Sequence, residues 1–353
     1  MRLWLLTSVA ALGAALTWFA VWRAAARVLP DRVPDPADAP KPPPVSPLEA
    51  AGLALSLALA LARTLPLMSR GFSYDEIWSV TDFFGTPSLW HAVSTFAEYN
   101  NHVFYSVLAW GAARVLGPAE WAYRAPALLF GVASIVALWW FARPRLGPAG
   151  GVLAALLLGT SPVAVAMGAT ARGYTGMVFF SLVATAAFFR LFHPAAGRGT
   201  GAAWLLATFL GIYTHLMAGT VLAVQVLMLG VVAWRQRGAP ASAPLLSTAR
   251  FDRIWKLMGC VGVLTAVAYL PVWRSLAGTL VSGEPSALVP SFPMDVVAFL
   301  AGTERGVSWP AVLLGLTAGY GLTAGWRSGF LERTTVQLLF LLPVLGLWLA
   351  RPE

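Results

Sequence analysis

Residues 48–80 read LEAAGLALSLALALARTLPLMSRGFSYDEIWSV, and the first two thirds of that stretch decide what kind of molecule this is. The run 48–68 is almost unbroken apolar sequence of about 20 residues, the length a helix needs to cross a bilayer. Arg63, in its last turns, either snorkels to the membrane surface or pairs with an acid. Two adjacent carboxylates, Asp75 and Glu76, follow just beyond the run. Ionisable groups beside a membrane are costly, so an acidic pair there is a candidate site of chemistry. The same residues also fit a capping box, with Ser73 and Glu76 satisfying free backbone donors at a helix start. This stretch alone leaves both readings open.

Composition agrees with the membrane reading. The 353 residues are 58% hydrophobic and only 11% charged, with 16 Trp, whereas a soluble domain carries about 25% charged residues. The net charge of +9 comes from Lys and Arg scattered between apolar runs. That is the pattern of loops facing an anionic cytoplasmic leaflet, and it sets nucleic acid aside as a partner. The single cysteine, Cys260, lies inside an apolar run, so there is no intrachain disulfide.

Extending the reading in both directions gives an all-α polytopic membrane protein of about ten transmembrane helices. The expected spans are 3–22, 48–68, 126–142, 149–167, 174–189, 202–213, 216–234, 257–273, 309–326 and 336–350. The first has spanning length rather than the shorter core of a signal peptide, and reads as a retained helix. Residues 23–47 are Pro-rich and polar, a cytoplasmic linker. Residues 1–47 are therefore an N-terminal helix plus linker, and 48–353 the transmembrane domain. The run 202–234 would be about 50 Å as one helix, too long for a bilayer, so a break is expected at Tyr213, Thr214 and His215. Residues 103–116 are too short to span. With the mixed segment 89–97 they read as interfacial helices in the first large outer loop, with Trp90, Trp110 and Trp121 as headgroup anchors.

With the linker inside, the cytoplasmic loops hold the larger share of Lys and Arg, as the positive-inside rule requires. Asp75, Glu76, Glu98, Asn100, Asn101, His102, Arg124, Arg172, Tyr174 and His215 then fall in outer loops or at outer helix ends. Each has an ordinary explanation. Arg124 and Arg172 can be snorkels, His102 and His215 helix-end hydrogen bonders, and Tyr174 part of an aromatic belt. Together they mark a candidate site.

The ordered set of motifs resembles the C-type glycosyltransferase superfamily, in particular the bacterial protein O-mannosyltransferase and aminoarabinose transferase type (glycosyltransferase family 39-like). The carrying residues are Asp75 and Glu76; Asn101, His102 and Tyr105; Glu120, Arg124 and Pro126; Ser161 and Pro162; Ala171, Arg172 and Tyr174; and Tyr213, Thr214 and His215. They cover about residues 48–235. Three features depart from the family pattern. Val103 and Phe104 stand where relatives carry Pro-Pro, Thr170 where a carboxylate is common, and the chain stops at Glu353 directly after a helix, as in a short or truncated member.

The resemblance implies a polyprenyl-phosphate sugar donor, a hexosyl or pentosyl group transferred, and an acceptor hydroxyl on a lipid, glycan or protein. It further implies a multi-pass protein of the cell membrane with its site facing outside or the periplasm. A hydroxyl is a poor nucleophile and needs a base in hydrogen-bond reach, and Asp75 is the candidate. Glu76 would position that base or bind the acceptor. Arg172, with Arg124 and Tyr174, would hold the donor phosphate as its charge develops. Asn101, His102, Tyr105 and His215 would face the sugar or acceptor. No cofactor is strictly required, although Asp75 and Glu76 could bind Mg or Mn. The sequence shows no Gly-rich phosphate loop, consistent with a lipid-linked donor. Two competing classes are a transporter or flippase of lipid-linked or small polar solutes, and a non-catalytic glycan-binding subunit.

Overall fold

A computed structural model describes residues 44–96, 101–237 and 246–273. The chain divides into two compact units, one of residues 40–226 with 246–284 and the other of residues 1–39, 227–245 and 285–353. The helices below belong to the first unit, except that α9 runs on into the second.

All the regular secondary structure among the described residues is helical. In chain order the α-helices are α1 Pro47–Thr64, α2 Tyr74–Ser79, α3 Leu89–Ser94, α4 Val103–Leu116, α5 Glu120–Thr160, α6 Pro162–Gly168, α7 Tyr174–Leu191, α8 Arg198–Thr214, α9 Gly219–Gln236 and α10 Thr248–Tyr269. Five stretches among the described residues are long and apolar enough to cross a membrane: Pro47–Leu67, Glu120–Thr160, Tyr174–Leu191, Leu216–Trp234 and Thr248–Val272. The expected spans 3–22, 309–326 and 336–350 lie outside the described residues.

Helix α5 contains two of the expected spans. At 41 residues it would be about 60 Å if straight, roughly twice the hydrocarbon thickness. It breaks at Gly147, whose φ of 79° and ψ of 174° are open to glycine and strained for other residues. Pro144 and Pro148 flank the break. The two arms then fold back on each other, because a Cβ on Gly151 would stand 3.1 Å from the Cα of Arg143, and one on Gly159 3.3 Å from Ile135. Gly159 also sits 2.8 Å, by the same measure, from the carbonyl oxygen of Ser56, so α1 packs into the hairpin through small residues. At the expected cytoplasmic end, buried Glu49 accepts from Arg143 Nε at 2.5 Å and from Trp139 Nε1 at 3.1 Å. Arg63 is exposed, which agrees with the snorkelling alternative, and it meets no acid among the described residues. Its Nη1 donates to the carbonyl of Thr160, one of the unpaired acceptors at the end of α5.

The second arm ends sooner than expected. Pro162 has no N–H to continue the ladder, and Ser161 turns out of helical geometry and accepts from Ala164 N–H at 3.4 Å. The expected break after α8 is present, with His215 extended at φ −155°. Helix α4 has the expected bounds and packs at the N-terminal end of α5. There Phe83, Phe84, Tyr105, Ala109, Tyr123, Ala127 and Ala171 form a buried cluster. Trp90 and Trp121 are exposed, while Trp110 lies under the Arg114 guanidinium at 3.6 Å.

Candidate functional site

Two arginines reach the same corner of the molecule and are used differently. Arg124, on the first turn and a half of α5, forms a two-pronged pair with Glu76. Its Nε donates to Oε1 at 2.8 Å and its Nη2 to Oε2 at 2.9 Å. Its Nη1 donates to the carbonyls of Met68 at 2.8 Å and Arg70 at 2.5 Å, and Nη2 also reaches the Gly71 carbonyl at 3.3 Å. Arg124 thus ties the loop between α1 and α2 to the end of α5.

Glu76 is equally occupied. Besides Arg124 it accepts from the N–H and Oγ of Ser73, each at 2.9 Å, and from the N–H of Ala171 at 2.7 Å. Burial pushes its carboxyl up, but the Arg124, Ala171 and Ser73 donors outweigh burial and hold it below its ordinary value of 4.5. The capping reading of Ser73 and Glu76 therefore applies, extended by an ion pair and a long-range backbone bond. A Mg or Mn ion at Asp75 and Glu76 does not fit this arrangement, since both Glu76 oxygens already take protein donors and the adjoining cation is Arg124. No cluster of three or more His, Cys, Asp or Glu suited to a metal stands among the described residues.

Asp75 points the other way. Its side chain is 62% exposed, and Oδ2 lies 4.0 Å from Nη1 of Arg172. Arg172 itself is only 5% exposed, yet its contacts are long and mostly neutral. Nη1 donates to the Asp75 carbonyl at 3.3 Å and Ser79 Oγ at 3.4 Å, and Nη2 to the Tyr174 hydroxyl at 3.3 Å. Its Nε is buried with no hydrogen-bond partner. A buried guanidinium in this state retains donors for an incoming anion.

The turn between α6 and α7 brings these groups together. Ala171 N–H binds Glu76, and Gly173 N–H donates to Nδ1 of His102 at 2.6 Å. A Cβ on Gly173 would stand 2.8 Å from Thr214 Cγ2 and 2.9 Å from His102 Nδ1, so only glycine fits between the start of α4 and the end of α8. His102, Tyr174 and His215 pack ring against ring, with centroids 4.5 to 5.4 Å apart. His215 Nδ1 accepts from Met217 N–H at 3.2 Å. Burial first, then the neighbouring Arg172 charge, pushes His215 down to about 4. His102 is pushed well below its ordinary value by burial, His215 and Arg172.

The structure therefore brings Asp75, Arg172, Tyr174, His102 and His215 into one place. Asn101 and Tyr105 are fully engaged elsewhere. Asn101 Nδ2 donates to the carbonyls of Ala92 and Thr95, and its Oδ1 accepts from Ser106, joining α3 to α4. The Tyr105 hydroxyl donates to the Tyr123 carbonyl at 2.7 Å inside the aromatic cluster. Glu98 and Asn100 lie outside the described residues. Sequence reasoning missed Ser79, which touches Arg172 and donates to the Asp75 carbonyl at 2.9 Å. Its place four residues after Asp75 was the available signal.

The family model for dolichyl-phosphate-mannose-protein mannosyltransferase matches residues 102–273, just under half the chain. Among curated proteins none matches. The matched segment begins at His102 and contains Arg124, Arg172, Tyr174 and His215, while Asp75 and Glu76 precede it. Residues 102–273 are thus similar to the dolichyl-phosphate-mannose-protein mannosyltransferase family, which points to a membrane glycosyltransferase using a polyprenyl-phosphate sugar.

Proposed function

We propose that the protein moves a glycosyl group from a polyprenyl phosphate to an acceptor hydroxyl at the outer face of the cell membrane, with Asp75 as general base and Arg172 as the cation for the donor phosphate. One observation carries this reading. An exposed carboxylate, Asp75, stands 4.0 Å from a buried arginine with an unpartnered Nε, on a corner braced by the Glu76–Arg124 pair.

In the proposed reaction Asp75 takes the hydroxyl proton as the acceptor oxygen bonds to the anomeric carbon. The bond from that carbon to the phosphate oxygen breaks, and the leaving polyprenyl phosphate carries away the electron pair. Arg172 is placed to stabilise the charge that develops there, the term that usually contributes most in such transfers. The 4.0 Å between the two groups is too short to hold the reacting carbon with its entering and leaving oxygens. Substrate binding thus requires the Asp75 carboxylate to rotate outward, which its exposure permits. Glu76 and Arg124 are positioning residues in this scheme, and Tyr174 and His215 wall the site.

The competing transporter reading makes a different prediction. Purified wild-type protein supplied with polyprenyl-phosphate [³H]mannose and a mixture of peptide, glycan and lipid acceptors should move label out of the donor lipid and release polyprenyl phosphate. Label that crosses the membrane of a proteoliposome on intact donor lipid would contradict glycosyl transfer.

A further inference from the structure

We infer that His102 is a second hydrogen-bond donor to the phosphate of the lipid donor, acting beside Arg172 through Nε2–H rather than facing the sugar or acceptor. The inference rests on the reading of Arg172 as the phosphate cation.

The argument starts from the bond that His102 already makes. Its Nδ1 lies 2.6 Å from the N–H of Gly173. A backbone N–H can only donate, so Nδ1 must carry a lone pair. The ring is then neutral, with its proton on Nε2. Three surroundings agree with a neutral ring. His102 is 5% exposed, the Arg172 guanidinium is adjacent, and the rings packed against it are those of His215 and Tyr174.

Nε2 faces Arg172 Nη2 at 3.5 Å. With the proton on Nε2 both atoms are donors, and neither can accept from the other. Arg172 Nε is also buried without a partner. Buried donors are nearly always paired, and two converging side chains with unsatisfied N–H groups call for an acceptor from outside the chain. A phosphate oxygen can accept from both. The arrangement supplies one full positive charge and one neutral donor. It therefore suits the extra negative charge that appears on the phosphate as the glycosidic bond breaks more than it suits the intact donor.

Two substitutions separate this role from simple tethering of Gly173. In His102→Asn the amide oxygen can still accept from Gly173 N–H, but the donor at the Nε2 position is gone. In His102→Gln an amide N–H reaches toward the Nε2 position, while the Nδ1 acceptor is lost. The full chain in detergent is titrated with farnesyl phosphate and, separately, with farnesol. Wild type should prefer farnesyl phosphate, and Arg172→Ala should lose that preference. His102→Asn should bind farnesyl phosphate about tenfold weaker or more, with farnesol binding kept and a thermal midpoint above that of His102→Gln. His102→Gln should recover part of the phosphate affinity at lower thermal stability. The reverse order, with His102→Asn like wild type and His102→Gln weakened, would overturn the inference and leave Arg172 as the phosphate ligand. No preference for farnesyl phosphate in wild type, or one that survives Arg172→Ala, would instead overturn the phosphate reading itself.

Discussion

Asp75 and Glu76 are neighbours of the same chemical type, and their surroundings give them opposite properties. Glu76 is 2% exposed and takes five donors, while the Asp75 side chain is 62% exposed and approaches Arg172 only to 4.0 Å. A carboxylate locked in an ion pair cannot take a proton without breaking that pair, so the geometry favours Asp75 as base and Glu76 as brace. Glu76→Gln removes the charge opposite a buried Arg124 and should destabilise the fold by about 3 kcal/mol or more. The pH dependence has a definite sign. The Glu76 carboxyl is held below 4.5 in the folded state, so its contribution is complete above 4.5 and is lost as pH falls through the lower folded value. Unfolding midpoints measured against pH should show this acid loss in wild type and a lower, flatter curve in Glu76→Gln. Equal midpoints for the two proteins would contradict the brace. The sequence could not separate the two acids, because the spacing Ser73, Asp75, Glu76 serves a helix cap and a catalytic pair equally. The partner that decides between them, Arg124, is 48 residues away in sequence.

At the level of elements, turns built from glycine and proline do most of the positioning. The bounds of α4, the break at His215 and the two halves of α5 were legible because each follows from bilayer thickness and local breakers. The early end of α5 at Thr160 was not anticipated, although Ser161 and Pro162 carried the signal: proline withholds an N–H and serine caps the next helix. Less legible still was Gly173, whose need for a missing Cβ comes from Thr214 and His102, both far away in sequence. Gly173→Ala should push the Arg172 turn away from α4. Overpacking of this kind costs about 1–3 kcal/mol, and donor binding should fall together with the thermal midpoint. Unchanged donor affinity in Gly173→Ala would show that the turn does not set the site.

At the scale of the whole molecule, composition alone gave a multi-pass helical membrane protein, and five described stretches meet the length and apolarity to span. The polar residues gathered on one side of the expected topology, but which of them share a site required three dimensions. Asn101 and Tyr105 hold α3, α4 and α5 together, whereas Arg172, His102, Tyr174 and His215 meet Asp75 through a single turn. The family match over residues 102–273 covers the arginine side of that site and stops short of the carboxylate, so the role of Asp75 is the claim on which the account turns. Asp75→Asn is nearly isosteric, and the Asp75 charge reaches buried Arg172 only at 4.0 Å and from an exposed side chain. Turnover of a polyprenyl-phosphate sugar by purified, folded Asp75→Asn protein should fall by at least about 100-fold, with farnesyl phosphate affinity and the unfolding midpoint kept near wild type. Turnover near the wild-type rate would contradict Asp75 as the base.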